Sequence, residues 1–142
     1  MAVPGTEPAL IEWLTRADHG AVTGWAPDPP LEALHCHPDL VARLSEIARP
    51  VAGTARRFVA GCPVVHHPRG RPIAAASGTN WLAVRSDRPA GALAPAAPEA
   101  SAAALGAGWQ ALDPWTSDVA FARGTDLLRG HVIRAYELAE AD

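Results

Sequence analysis

Residues 57–85 read RFVAGCPVVHHPRGRPIAAASGTNWLAVR, and this stretch decides the fold. It is rich in β-forming side chains, and two tracts of Pro, Gly, Ser and Asn interrupt it. Those tracts are turns, and they separate three predicted strands at 57–67, 72–76 and 81–85. Pro63 favours an edge or a bulge for the first strand, because proline has no amide hydrogen for a ladder. The stretch therefore predicts a three-stranded antiparallel meander.

Helical periodicity flanks this meander. Apolar residues recur at helical spacing after Thr6, over residues 40–48 and after Thr125, so each segment predicts an amphipathic helix. Thr6 and Thr125 are the expected N-caps of the first and the last of these helices. Residues 109–112 predict a fourth strand, and residues 87–100 form a connector rich in alanine and proline. The chain is thus predicted to be a single α+β domain over residues 1–142, an antiparallel sheet of about four strands with helices mainly on one face.

The same patterns predict which side chains form the hydrophobic core. The expected core residues are Leu10, Leu14, Leu40, Leu44, Ile47, Phe58, Val64, Leu82, Val84, Leu112, Leu128 and Val132.

Composition excludes several classes of function. All twelve basic residues among the 142 are arginine, as a GC-rich coding sequence favours. Without lysine there is no Schiff base to pyridoxal phosphate and no P-loop lysine. The net charge of −3 argues against a broad nucleic-acid surface. No signal peptide and no apolar run of bilayer length is recognised, so we expect a soluble, cytoplasmic protein without a membrane partner.

Five short segments form a pattern over more than half of the chain: Gly61-Cys62-Pro63, Gly70-Arg71-Pro72-Ile73-Ala74, Leu82-Ala83-Val84-Arg85, Gly108-Trp109-Gln110-Ala111-Leu112 and Arg134-Ala135-Tyr136-Glu137-Leu138. This pattern resembles that of the TfoX N-terminal and YjbR (MmcQ)-type small domains. The resemblance implies an α+β domain and supplies no catalytic residue. The alanine-rich connector and a proline-rich loop before residue 31 depart from the family pattern.

Cysteine and histidine cluster in two short segments, His35-Cys36-His37 and Cys62 through His66-His67. Imidazole and thiolate bind zinc and related metals, so His35, His37, Cys62 and His66 are candidate ligands of zinc or another transition metal. The cluster also has a nucleophilic interpretation. Cys36 precedes a predicted helix whose N-terminus lowers a thiol pKa, with His37 or His66 as the base. The alternative is that the cysteines are inert and the histidines flank a helix junction and a turn.

A second group of residues predicts ligand binding. Strand alternation places Trp81 and Arg85 on one face, and His67 is predicted to share it. An aromatic ring beside a cation suits an anionic or planar ligand. Asp113 and Trp115 lie in a loop after the fourth strand, where binding groups are common. The alternative is that the tryptophans are core residues and that Asp113 begins a turn.

These observations favour a non-catalytic binding module for a small molecule or a protein partner, with no cofactor required. The alternative is a small enzyme or metal protein that uses the Cys/His segments. A third hypothesis is self-association through an edge strand, which Pro63 and Arg57 oppose.

Overall fold

The structure, a computed structural model, describes residues 8–16, 19, 36–49, 51, 55–59, 61–88, 93, 105, 108–115 and 121–141. This part of the chain holds three helices and five strands. In chain order they are α1 (Pro8–Leu14), α2 (Pro38–Ile47), β1 (Ala55–Val59), β2 (Cys62–His66), β3 (Pro72–Ser77), β4 (Trp81–Arg85), β5 (Trp109–Leu112) and α3 (Phe121–Ala141).

The five strands form one antiparallel sheet in the order β1-β2-β3-β4-β5. The predicted strand at 57–67 is in fact the hairpin β1–β2, in which Val59 pairs with Cys62. Gly61 makes this possible, because it adopts φ 79°, a conformation that favours glycine. The antiparallel α+β fold is confirmed, and the extra strand comes from a turn within a continuous β-forming run.

One face of the sheet carries two of the three helices, α2 and α3. Leu40, Leu44 and Ile47 of α2 meet Leu128 and Val132 of α3 over the sheet. The sheet residues on this face include Val65, Ala74, Ala76, Leu82, Val84 and Leu112. The prediction that helices lie mainly on one face agrees with this arrangement.

The opposite face carries α1. Leu10, Trp13 and Leu14 are buried there against a second apolar cluster. Its sheet residues are Cys62, Val64, Ala75, Ala83, Trp109 and Ala111, and Leu105 also packs with them. The central strands are therefore covered on both sides, which explains why β2, β3 and β4 read as continuous apolar runs.

A buried cation links α2 to α3. Arg43 is 3% exposed, and burial lowers the pKa of its guanidinium. Its Nε donates to the Pro114 carbonyl at 2.8 Å, and an Nη atom donates to the Thr125 hydroxyl at 2.8 Å. Thr125 thus lies inside α3, which begins at Phe121, and the prediction that Thr125 caps this helix is wrong.

The predicted core is confirmed except at one position. Phe58 is 42% exposed, whereas the other predicted core residues are buried. Phe58 lies on β1, an edge strand, where its ring faces the guanidinium of Arg56 at 5.8 Å instead of a helix. Thr6 and most of the connector at 87–100 lie outside the described residues.

Candidate functional site

The residues predicted to bind a ligand lie at two ends of the sheet. Trp81 begins β4 and Arg85 ends it, so their backbones are separated by about 13 Å. Trp115 lies at the Trp81 end, where its indole nitrogen donates to the Thr79 carbonyl at 2.8 Å. His67 lies nearer the Arg85 end, since its amide donates to the Arg71 carbonyl. The structure therefore does not bring these residues to one pocket.

Trp81 takes part in a packed group of rings. Its indole stacks on the His19 imidazole, with centroids 4.6 Å apart and planes at 20°. Trp13 meets Trp81 edge-on at 6.5 Å. Ser77 Oγ donates to the Leu14 carbonyl at 2.6 Å and lies 3.2 Å from His19 Nδ1. We call this group the aromatic end, and its residues are Trp13, His19, Ser77, Trp81 and Trp115. Their contacts are ring packing and internal hydrogen bonds, which stabilise the fold.

Asp113 and His67 also have local partners. Asp113 Oδ1 accepts a hydrogen bond from the Trp115 amide at 2.9 Å, so this carboxylate forms a turn. His67 Nδ1 accepts from the Arg69 amide at 3.0 Å, and its ring packs against Tyr136 of α3 at 4.5 Å. His67 Nε2 lies 3.6 Å from a carboxylate oxygen of Glu140. His67 thus connects the loop after β2 with helix α3, and it does not share a face with Trp81.

The two cysteines are buried thiols. Both are 0% exposed. Burial raises the pKa of Cys62 to about 11, and a hydrogen bond with Ser77 opposes part of that rise. Burial raises the pKa of Cys36 still further, with a smaller contribution from Cys62. The expected lowering of the Cys36 pKa by a helix N-terminus is wrong, because the loss of hydration outweighs the helix field.

The predicted metal ligands have separate environments. His37 is the N-cap of α2, and its Nδ1 accepts from the Asp39 amide at 3.1 Å. His66 is 1% exposed within β2, and Cys62 packs on the α1 face. His35 lies outside the described residues. Within the described ranges, no group of three or more His, Cys, Asp or Glu side chains is placed to hold a metal ion.

A polar concavity lies at the Arg85 end of the sheet, between the end of β4 and α3. Its volume is about 380 Å³. The residues that line it are Arg85, Ser86, Asp87, Arg88, Leu93, His131 and Arg134, and we call this site the arginine cleft. The lining includes three arginines and one aspartate, so basic residues outnumber acidic ones there although the whole chain has a net charge of −3.

One backbone–backbone hydrogen bond and two bonds between side chain and backbone fix the loop that forms one wall of the arginine cleft. The Ser86 amide donates to the Gly108 carbonyl at 2.9 Å. The Arg88 amide donates to Ser86 Oγ at 3.0 Å, and Gln110 Nε2 donates to the Arg88 carbonyl at 2.9 Å. The wall is therefore preformed, which lowers the conformational entropy lost when a ligand binds.

The arginines of the cleft differ in exposure. Arg85 is 9% exposed, donates through Nε to the Pro72 carbonyl at 2.8 Å, and lies over the Trp109 ring at 4.8 Å. Arg134 is 58% exposed, 3.2 Å from Asp87 and 3.8 Å from Glu137. Arg85 is therefore held by internal contacts with Pro72 and Trp109, whereas Arg134 has room to turn toward a ligand.

Sequence reasoning identified Arg85 and missed the rest of the arginine cleft. His131 and Arg134 are three residues apart, so they share one face of α3, which was the available signal. No sequence pattern identifies Ser86 and Arg88 as site residues, because their position depends on the turn after β4. His19 and Ser77 of the aromatic end were also missed as partners, because 58 residues separate them along the chain.

Comparisons with known proteins add no relative. No family model, curated protein or solved structure matches the chain. In the described ranges, no helix is both long enough and apolar enough to cross a bilayer.

Proposed function

We propose that this protein is a non-catalytic binding module for a small anionic molecule, which it holds in the arginine cleft. The observation that carries the proposal is that the exposed Arg88 and Arg134 line one cavity whose wall is held by hydrogen bonds, with the buried Arg85 also among its lining residues. These cations come from the end of β4, the following turn and α3, so the fold itself brings them together.

The chemistry of the cleft favours a carboxylate or phosphate ligand. Guanidinium groups stay charged at physiological pH and donate planar, paired hydrogen bonds to such oxyanions. Leu93 supplies an apolar contact at the same cavity. A volume of about 380 Å³ lies near the lower limit for small-molecule sites, so the ligand is a small metabolite.

In the arginine cleft, Arg134 forms an ion pair with Asp87. Both side chains are more than half exposed, at 53% and 58%, so the pair contributes little to stability. A ligand oxyanion is able to take the place of the Asp87 carboxylate on Arg134 at small cost. Asp87 also favours ligands that carry a hydrogen-bond donor beside their anionic group.

The environments of the two thiols and of the Ser86 hydroxyl support binding rather than covalent catalysis. The two thiols are buried and have raised pKa values. Within the arginine cleft the hydroxyl is that of Ser86, which is 5% exposed and accepts a hydrogen bond from the Arg88 amide.

Isothermal titration with inorganic phosphate, pyrophosphate and citrate tests the proposal. We expect at least one of these anions to bind, and Arg88→Gln and Arg134→Gln each to weaken that binding about tenfold, as the loss of a charge-assisted contact implies. Arg57→Gln is the matched control, because Arg57 is an exposed arginine on β1 and does not line the cleft. Equal affinity in all three variants, or no binding of any anion, contradicts the proposal.

A further inference from the structure

The two edges of the sheet differ in how they are covered. β5 pairs only with β4 among the described strands, yet its four residues are all buried. Among the same described strands β1 pairs only with β2, and Arg56, Arg57 and Phe58 on it are exposed. An exposed edge presents backbone amides and carbonyls that an added strand is able to pair with.

The side chains of β1 divide between the two faces of the sheet. Arg56 pairs with Val65, which belongs to the core under α2 and α3, so Arg56 and Phe58 lie on that face. Arg57 pairs with Val64 and lies on the α1 face. The Phe58 ring is 42% exposed beside the Arg56 guanidinium. The edge thus carries two cations and one apolar ring in a fixed order.

A groove continues this surface toward α2. It has a volume of about 230 Å³, and Ser45, Arg49, Val51 and Arg56 are among the residues that line it. An Nη atom of Arg56 donates to Ser45 Oγ, which holds the guanidinium over the groove. Arg49 is exposed and adds a second cation. The groove therefore suits a side chain that ends in a carboxylate.

We infer that β1 is a docking edge for an extended acidic segment of a partner protein, which adds a strand antiparallel to β1. Cross-strand neighbours then determine the sequence that fits. An apolar residue lies opposite Phe58, and acidic residues lie opposite Arg57 and Arg56. The segment therefore reads apolar-acidic-acidic from its N-terminus. This surface is separate from the arginine cleft and does not depend on it.

The same geometry disfavours a second copy of this chain. In the fully paired antiparallel register of two β1 strands, Ala55 lies opposite Val59 and Arg57 lies opposite the Arg57 of the other copy. Like charges directly opposite each other destabilise a strand pair. The positive charge of β1 thus selects an acidic partner over self-association.

Fluorescence polarisation with a labelled heptapeptide, Thr-Thr-Val-Glu-Glu-Thr-Thr, tests the inference. We expect saturable binding, weakened about tenfold by the double substitution Arg56→Glu with Arg57→Glu and by a smaller factor by Phe58→Ala. Arg88→Glu, an exposed arginine of the arginine cleft, is the matched control and leaves peptide affinity unchanged. Thermal melts establish that each variant is folded.

Two further measurements separate strand addition from charge attraction. A peptide with N-methyl groups on alternate residues keeps its charges and loses backbone donors, so we expect it not to bind. Amide hydrogen exchange should slow at residues 55–59 when the unmodified peptide is added. Equal binding of the methylated peptide or of a Val-Lys-Lys analogue overturns the inference. Loss of peptide binding in the Arg88→Glu variant also overturns it. A third contrary result is a dimer, detected by light scattering, in which the amides of β1 are protected from hydrogen exchange without peptide.

Discussion

The two ends of strand β4 differ in residue type and in whether the side chains there have internal partners. At the aromatic end, Trp81 stacks on His19, and Ser77 bridges the Leu14 carbonyl and the His19 ring. At the arginine cleft, Arg88 and Arg134 are exposed around a cavity of about 380 Å³. Arg85 itself has internal partners, the Pro72 carbonyl and the Trp109 ring, so the exposed cations of the cleft are Arg88 and Arg134.

This difference distinguishes the residues that stabilise the folded state from those that remain available to bind a ligand. Polar groups that have internal partners stabilise the folded state, and their removal leaves a buried donor or acceptor unsatisfied. Charged groups around an open cavity contribute little to folding and remain available to a ligand. The aromatic end should therefore govern the free energy of unfolding, and the arginine cleft should govern anion affinity.

The largest expected effect is at Trp13. This side chain is 1% exposed and contacts the rings of both His19 and Trp81. We expect Trp13→Ala to lower the free energy of unfolding by about 3–5 kcal/mol, because it removes a large buried ring and leaves a cavity. Urea unfolding followed by circular dichroism measures it. A loss below about 1 kcal/mol would show that the aromatic end does not govern stability.

Two glycines compare the ends directly. A Cβ added to Gly78, which has φ +60°, would lie 2.0 Å from the His19 carbonyl oxygen. A Cβ added to Gly108, which has φ +89°, would have no neighbouring atom within 4 Å. Gly78→Ala should cost about 2–5 kcal/mol from strain and overpacking. Gly108→Ala, beside the arginine cleft, should cost about 1–2 kcal/mol from strain alone. Equal losses in urea unfolding would contradict the packing difference.

The buried thiol of Cys62 predicts a pH dependence of stability. Burial raises its pKa from 9.0 to about 11, so between these values the unfolded chain has lost a proton that the folded chain retains. The contribution of this thiol to the free energy of unfolding is then constant below pH 9 and falls as pH rises toward 11, by up to about 1.4 kcal/mol per pH unit. Unfolding in urea at several pH values measures the slope. Cys62→Ala should reduce the slope by about half, because the buried Cys36 thiol contributes a slope of the same sign, and an unchanged slope in that variant would assign it to other groups.

The smallest expected stability change is at Arg134. Its ion pairs with Asp87 and Glu137 are exposed, so Arg134→Gln should change the free energy of unfolding by less than about 1 kcal/mol. Thermal melts of wild type and variant at one salt concentration check this. A large loss of stability would make Arg134 structural, and its effect on anion binding would then need another explanation.

The sequence predicts the fold better than the site because the fold depends on local periodicity. Alternation and turn residues locate β3 and β4, and helical spacing locates α2, with no knowledge of distant contacts. The hairpin turn at Gly61 was missed because β-forming residues continue on both sides of it. The exposure of Phe58 was missed because strand order decides which strand lies at an edge.

The site depends on contacts between segments that are far apart along the chain. Arg85 and Arg134 are 49 residues apart, and no spacing rule connects the end of a strand to the flank of a helix. Trp81 and Trp115 attract attention as rare residues, but their partners, His19 and the Thr79 carbonyl, are identified only once the chain is folded.

Nuclear magnetic resonance mapping tests the central claim most directly. Amide spectra of the ¹⁵N-labelled protein are recorded while the anion with the highest affinity among phosphate, pyrophosphate and citrate is added. We predict that shifts concentrate at residues 85–88 and 131–134, while the Trp81 and Trp115 signals stay in place. Shifts centred on the aromatic end, or spread over every exposed arginine without saturation, would contradict a binding site in the arginine cleft.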